Sequence, residues 1–325
     1  MMKVTDALTG VEKLVPIDSK RITATLPNVQ ILPATQRVEI NDKFTKTIFK
    51  SILQSGGGYT VTERKASKNS NGKIQAPIKT NFIISNYDDD EISLSEFDRA
   101  VLSAVISEQK VGNLYTTIPI IYRALTGKVG KGATGVNPEP NQREIIKNSL
   151  VYLMSTNINF TDAQKSLLDM GYIKDPGEFD VDISPILPAQ LLHFKNTING
   201  QMVKDVLYFT VKSPLLEYAE LKNQIVRYPS ALLDIPNQNN TPLIIMLKTY
   251  VLRRISEIKL HRQLAHTITF NDVFKKCGLT DANRDTKYNA RKIILQLFEH
   301  LKAKNFIKSY EIEKRGNFIH SVKFF

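Results

Sequence analysis

Thr241 to Phe325 reads TPLIIMLKTYVLRRISEIKLHRQLAHTITFNDVFKKCGLTDANRDTKYNARKIILQLFEHLKAKNFIKSYEIEKRGNFIHSVKFF. Ile244, Leu247, Val251, Ile255 and Ile258 recur at helical spacing behind Pro242, which predicts a helix to Leu260. Thr269 predicts the cap of a short helix to Lys276, with Gly278 as its stop signal. A third helix is expected from Ala282 to Lys304, with Ala290, Ile294, Leu297, Phe298 and Leu301 as its apolar stripe. Ile307 to Glu313 and Phe318 to Phe324 alternate as half-buried strands around Arg315-Gly316-Asn317. Three helices followed by a two-stranded ribbon is the order of a winged helix.

The same stretch holds seventeen Lys or Arg against seven Asp or Glu, so it carries ten of the chain's net twelve positive charges. A winged helix this basic is expected to bind double-stranded DNA. On the third helix, Arg284, Tyr288, Arg291 and Lys292 fall in one arc of roughly 100°, in the half that a recognition helix pushes into the major groove. Asn283 and Lys287 belong to the same candidate surface, and Asn283 has the chemistry to read adenine. Lys314, Arg315 and Asn317 at the ribbon's turn are candidates for phosphate contacts. Arg253, Arg254, Lys259 and Arg262, late in the first helix, are candidates for backing the phosphate surface.

Upstream, the same order recurs without obvious residue identity. Ser93 and Glu96 suggest a capping box before a helix to Gln109. Thr117 and Pro119 open a second helix, stopped by Gly127. A third is expected over Asn141–Met154, buried through Ile146, Leu150, Leu153 and Met154. Leu191–Ile198 and Met202–Val211 flank Asn199-Gly200, a strong hairpin signal. Arg143, Lys147 and Asn148 on the third helix, with Lys128 and Lys131 in the loop before it, are auxiliary DNA candidates. The expected fold class is α+β: two winged-helix domains in tandem, at residues 81–223 and 242–325. A linker is expected over 224–241, where YPSALLDIPNQNNT carries two prolines. Residues 1–80 read as an arm of short strands, with a mobile polar loop over Thr62–Lys79.

Other chemistries find little footing. Gly127 to Gly135 lacks the Gly-Lys-Ser/Thr ending of a P-loop and follows a helix rather than a strand. His193, His261, His266, His300 and His320 show no ligand spacing, and Cys277 is the sole cysteine, so neither a metal nor a cofactor is expected. No catalytic constellation emerges, and a non-enzymatic protein is expected. No apolar run approaches a membrane span, and MMKVTDALTG has no apolar segment of the secretory type; a cytoplasmic protein is expected.

Two winged helices with a more basic C-terminal copy resemble the iteron-binding plasmid replication initiators. The resemblance covers roughly Phe82 to Phe325. It is carried by SEFDRAVLSAVISEQ, NQREIIKNSLVYL, the long hairpin, TPLIIMLKTYVLRRISEIK and NARKIILQLFEHLKAKNFIKSYEI. It implies binding to short direct repeats at an origin as a monomer, repression of its own promoter as a homodimer through the first domain, and recruitment of host replication proteins. It also implies main sequence readout by the second domain. A winged-helix transcriptional regulator and a non-catalytic protein-binding adaptor are the alternative readings.

Overall fold

The structure, a computed structural model, describes residues 2–5, 12–15, 33–49, 51–65, 67–68, 74–130, 133, 135–179, 181, 183–195, 202–261, 263–316 and 318–325. Its helices are α1 (Lys43–Ile48), α2 (Glu96–Lys110), α3 (Ile118–Thr126), α4 (Pro140–Ser155), α5 (Ala163–Asp169), α6 (Pro214–Leu221), α7 (Pro242–Leu260), α8 (Phe270–Lys276) and α9 (Arg284–Ala303).

From Thr241 onward each helix starts where a side chain satisfies an orphan amide. The side chains of Thr241, Thr269 and Asn283 accept from the N–H groups of Ile244, Asp272 and Thr286. Gly278 and Asn305 adopt positive φ after α8 and α9 and turn the chain at each helix end. The expected stripe Ala290, Ile294, Leu297, Phe298 and Leu301 is the buried face of α9. The hairpin strands are Tyr310–Arg315 and Phe318–Phe324, so Ile307 lies buried in the preceding turn rather than in a strand. Thr267–Thr269 joins them, giving the order 267–269, 318–324, 310–315.

The preceding half repeats this connectivity. After α2 come the short strand Tyr115–Thr116, α3, α4 and the hairpin 189–195 with 202–209; the sheet order is 115–116, 202–209, 189–195. The Asn199-Gly200 turn lies outside the described residues. α4 buries Ile146, Leu150, Leu153 and Met154, the residues its periodicity singles out. The capping box sits two residues later than its expected place: Ser95 and Asp98 cap α2, while Glu96 is buried and takes an ion pair. Gly127 follows α3 at φ 77°; a Cβ there would stand 2.6 Å from the Asp234 N and the Ser230 O.

Residues 1–80 are more than an arm. Strands 183–185, 157–160, 78–85 and 58–64 form one antiparallel sheet. Phe44 of α1 packs on Phe82, Phe160 and Tyr218, with ring centroids 4.5, 4.9 and 5.5 Å away. Thr62–Arg64 and Ile78–Lys79, read from the sequence as mobile, lie in paired strands; residues 66 and 69–73 are outside the described set. Residues 224–241 are not simply a linker either. Ile225–Pro229 pairs antiparallel with Gln36–Ile40, and Val226, Tyr228, Leu232 and Leu233 are buried.

The two halves meet over a buried ionic cluster. Arg253 of α7 donates to Glu96 at 2.7 Å and lies 3.8 Å from Glu39. Glu39 also accepts from Arg37, Ser103 and Tyr228 at 3.1, 2.8 and 3.0 Å. Arg99 donates to the Ile40 carbonyl at 2.6 Å. Burial alone would raise the Glu96 carboxyl, but Arg253 and Arg99 hold it below its usual range. Charges removed from water persist only when paired in this way.

Candidate nucleic-acid interface

The first half of α9 presents its polar residues outward. Arg284, Asp285, Tyr288, Asn289 and Lys292 are exposed, and Tyr288 shows 64 % of its surface to solvent. Arg291 is half-buried. Its guanidinium lies 5.0 Å from the Phe274 ring and 5.8 Å from Phe270, so α8 braces the cation on two aromatic faces. Its Nε is buried with no hydrogen-bond partner among the described residues. Lys287 donates to the Thr280 carbonyl at 2.6 Å and pins the loop between α8 and α9. Asn283 spends its carbonyl on the cap, accepting from the Thr286 N–H at 2.8 Å. The structure therefore divides the predicted set: Arg284, Tyr288 and Lys292 face water, Arg291 is braced, and Lys287 and Asn283 have local structural partners.

Lys314 and Arg315 are exposed at the hairpin tip, where Gly316 takes φ 60°; Asn317 is outside the described residues. Phe318, next along, shows 67 % of its surface. From the sequence it reads as an ordinary strand residue. The signal that singles it out is Phe318-Ile319, two adjacent large apolar residues in a strand that otherwise alternates.

The basic count overstates the free surface. Lys248 is buried and donates to the Leu233 carbonyl and to Asn240 Oδ1, each at 2.7 Å; burial lowers its pKa to about 8. Arg253 belongs to the buried cluster. Arg254 pairs with Glu257 at 2.7 Å. Lys259 donates to the Phe306 carbonyl and sits 3.9 Å over the Phe306 ring. Of the four late cations of this helix that were candidates for backing a phosphate surface, these three are engaged within the fold, and Arg262 is outside the described residues. Lys302, Lys304 and Lys308 are exposed, but Lys302 lies about 27 Å along the helix from Arg284 at 1.5 Å per residue.

On α4, Arg143 and Asn148 are exposed and Lys147 is half-buried, with exposed Glu139 and Glu144 among them. The start of α4 is tied down, because Gln142 donates to the Asn240 carbonyl at 2.9 Å. Lys128 is ion-paired with Asp234, and Lys131 is outside the described residues. The start of α4 thus carries two carboxylates beside its two cations, whereas the first half of α9 carries one, Asp285, beside Arg284, Lys287, Arg291 and Lys292.

Cys277 is buried, and burial pushes its thiol well above the usual range. Among the described residues no group of three or more His, Cys, Asp or Glu is placed to hold a metal ion, and no helix is long and apolar enough to cross a membrane.

Comparison with known proteins gives little sequence likeness. No family model matches the chain, and no curated protein matches it. Among solved structures it is similar to RctB domains 2-3 (RctB-155-483), with a TM-score of 0.40 and 8% identity, over 88% of this chain and 94% of that one. It is also similar to selenomethionine-derivative domain 2 and domain 3 of RctB, with a TM-score of 0.37 and 10% identity, over 84% and 91%.

Proposed function

We propose that this chain is a sequence-specific double-stranded DNA-binding protein built from two winged helices, and that it acts as a replication initiator on repeated sites at an origin. One observation carries this reading: the solvent-facing row Arg284, Tyr288 and Lys292, with Arg291 braced on Phe270 and Phe274, on the helix that precedes the Lys314–Arg315 tip. The matching connectivity of the two halves supports the tandem architecture. Arg pairs with guanine edges, Lys and the tip residues neutralise phosphate, and the α9 axis sets which bases are reached. The first unit adds Arg143, Lys147 and Asn148 as lesser contacts and serves as the dimer surface. Host replication proteins are the further partners, and the chain itself supplies binding rather than catalysis.

Fluorescence anisotropy on duplexes selected by the full chain from a random pool tests this. The three cations assigned to phosphate (Lys292, Lys314 and Arg315) predict a log–log salt slope of roughly −3, steeper if the α9 arginines also displace counterions. Arg291→Ala with Lys292→Ala should weaken specific binding by about 1–3 kcal/mol for each base-reading side chain removed. Unchanged binding by that double variant removes α9 as the reading helix. A footprint over several tandem repeats in the gene's upstream DNA supports an initiator; one over a single palindrome identifies a regulator.

A further inference from the structure

The hairpin tip carries an aromatic ring that the fold does not use. Ser321 pairs with Glu313, but the next pairs are Ile319 with Lys314 and Phe318 with Arg315, so the register slips by one residue between Glu313 and Lys314. A bulge of this kind re-aims the side chains beyond it. Here it turns Ile319 onto the hydrophobic core. Because successive strand residues face opposite ways, Phe318 is left on the outer face, cross-strand from Arg315 and 67 % exposed. Lys314 and Arg315 flank it at the tip. The carboxylates Glu311 and Glu313 lie further back, and Glu313 accepts a hydrogen bond from Ser321 at 2.5 Å.

An apolar ring beside an arginine on a narrow basic ribbon matches the chemistry of side chains that enter the minor groove and part a base step. We propose that Phe318 is such a wedge. Resting on the DNA-binding reading above, the wing tip enters the minor groove, Arg315 and Lys314 meet the phosphates on either side, and the Phe318 ring partly unstacks one step and kinks the duplex toward the major groove. The step taken would be a flexible pyrimidine–purine one, where deformation costs least. Bending then selects sequence at base pairs that α9 never touches.

The test uses the full chain and a duplex of about 40 bp, longer than the 20–30 bp over which such bends are usually spread, that it selects from a random-sequence pool, with dyes at the two ends and 2-aminopurine placed at successive steps. The unaltered protein should raise energy transfer between the ends and brighten 2-aminopurine at one step. Phe318→Ala should abolish the brightening, reduce the energy-transfer change and weaken binding about tenfold; Phe318→Leu, a smaller wedge, should keep part of each signal. Since the ring is exposed, both variants should match the parent by circular dichroism. Tight binding with neither signal in the parent overturns the wedge, and so does a Phe318→Ala protein that still bends and unstacks the duplex. If Phe318→Ala instead leaves both DNA signals intact and changes only the sedimentation of the protein, Phe318 is a protein contact and the wedge is again overturned. Failure of the underlying reading looks different: the pool yields no enriched duplex, or Arg291→Ala with Lys292→Ala binds as the parent does.

Discussion

Replacing Arg253 by Met should weaken the whole molecule, because one guanidinium serves carboxylates from two distant parts of the chain. Arg253 is 4% exposed, 2.7 Å from Glu96 and 3.8 Å from Glu39. Met fills much of the volume, so the loss is chiefly electrostatic. Glu39 keeps Arg37, Ser103 and Tyr228, whereas Glu96 keeps Arg99 at 3.7 Å and the weaker attraction of Lys276. Breaking a buried pair by removing one partner costs about 3–5 kcal/mol. With a urea slope of about 3 kcal/mol per molar, the unfolding midpoint should fall by roughly 1–1.7 M at pH 7. The pH dependence gives a sharper check. In the parent, Glu96 lies below its unfolded value, so its contribution is present above about pH 4.5 and fades as pH falls further. In the variant, burial without Arg253 raises Glu96 above that value, and the charged form becomes a penalty as pH climbs through the raised pKa. The gap between variant and parent should therefore narrow toward pH 4.5, and Glu96→Gln in the Arg253→Met background should recover part of the loss. A midpoint shift worth under about 1 kcal/mol, below the range expected for a broken buried pair, or a gap that widens on acidification, would refute the reasoning.

Three further outcomes are expected. Burial would raise the Glu257 carboxyl, but Lys46 and Arg254 at 2.7 Å outweigh it and bring it to about 2; stability should drop by on the order of 2–3 kcal/mol as pH falls from about 4.5 toward 2, and Glu257→Gln should flatten that limb of a urea-midpoint series. Gly127→Ala should cost at least about 2 kcal/mol in thermal unfolding, since the new methyl meets the backbone of Ser230 and Asp234. Asn283→Ala should cost about 1 kcal/mol while Asn283→Asp restores it; if Asp fails to restore it, the capping role of Asn283 is wrong.

Much of the architecture was written in local signals. The α9 stripe, the cap at Thr269, and the stop at Gly127 each follow from a few neighbouring residues, so periodicity and capping chemistry located them; the Thr241 cap, at the end of a stretch that reads as linker, did not stand out. What escaped was long-range. Gln36–Ile40 finds its partner in Ile225–Pro229, and nothing in either segment names the other; Pro229 and the asparagines beyond it read as breakers. Arg253 looked like one more surface cation because its partners, Glu39 and Glu96, are brought to it only by the fold. The same blindness affects the candidate surface. Arg284, Tyr288 and Lys292 face outward as the helical wheel requires, yet the local bonds of Lys287 and the ion pair of Lys128 depend on loops whose paths no pattern discloses. Phe318 was hidden by a one-residue slip in strand register, which alternation alone does not report.

The pairing of residues 36–40 with 225–229 also sets a schedule for making the protein. Glu39 and its partner Tyr228 stand 189 residues apart. At about 5–20 residues per second on the ribosome, the early strand waits roughly ten to forty seconds for its mate. Through that interval Val38 and Ile40 have no strand to pair with, so the apolar edge they form stays unpaired until residues 225–229 emerge.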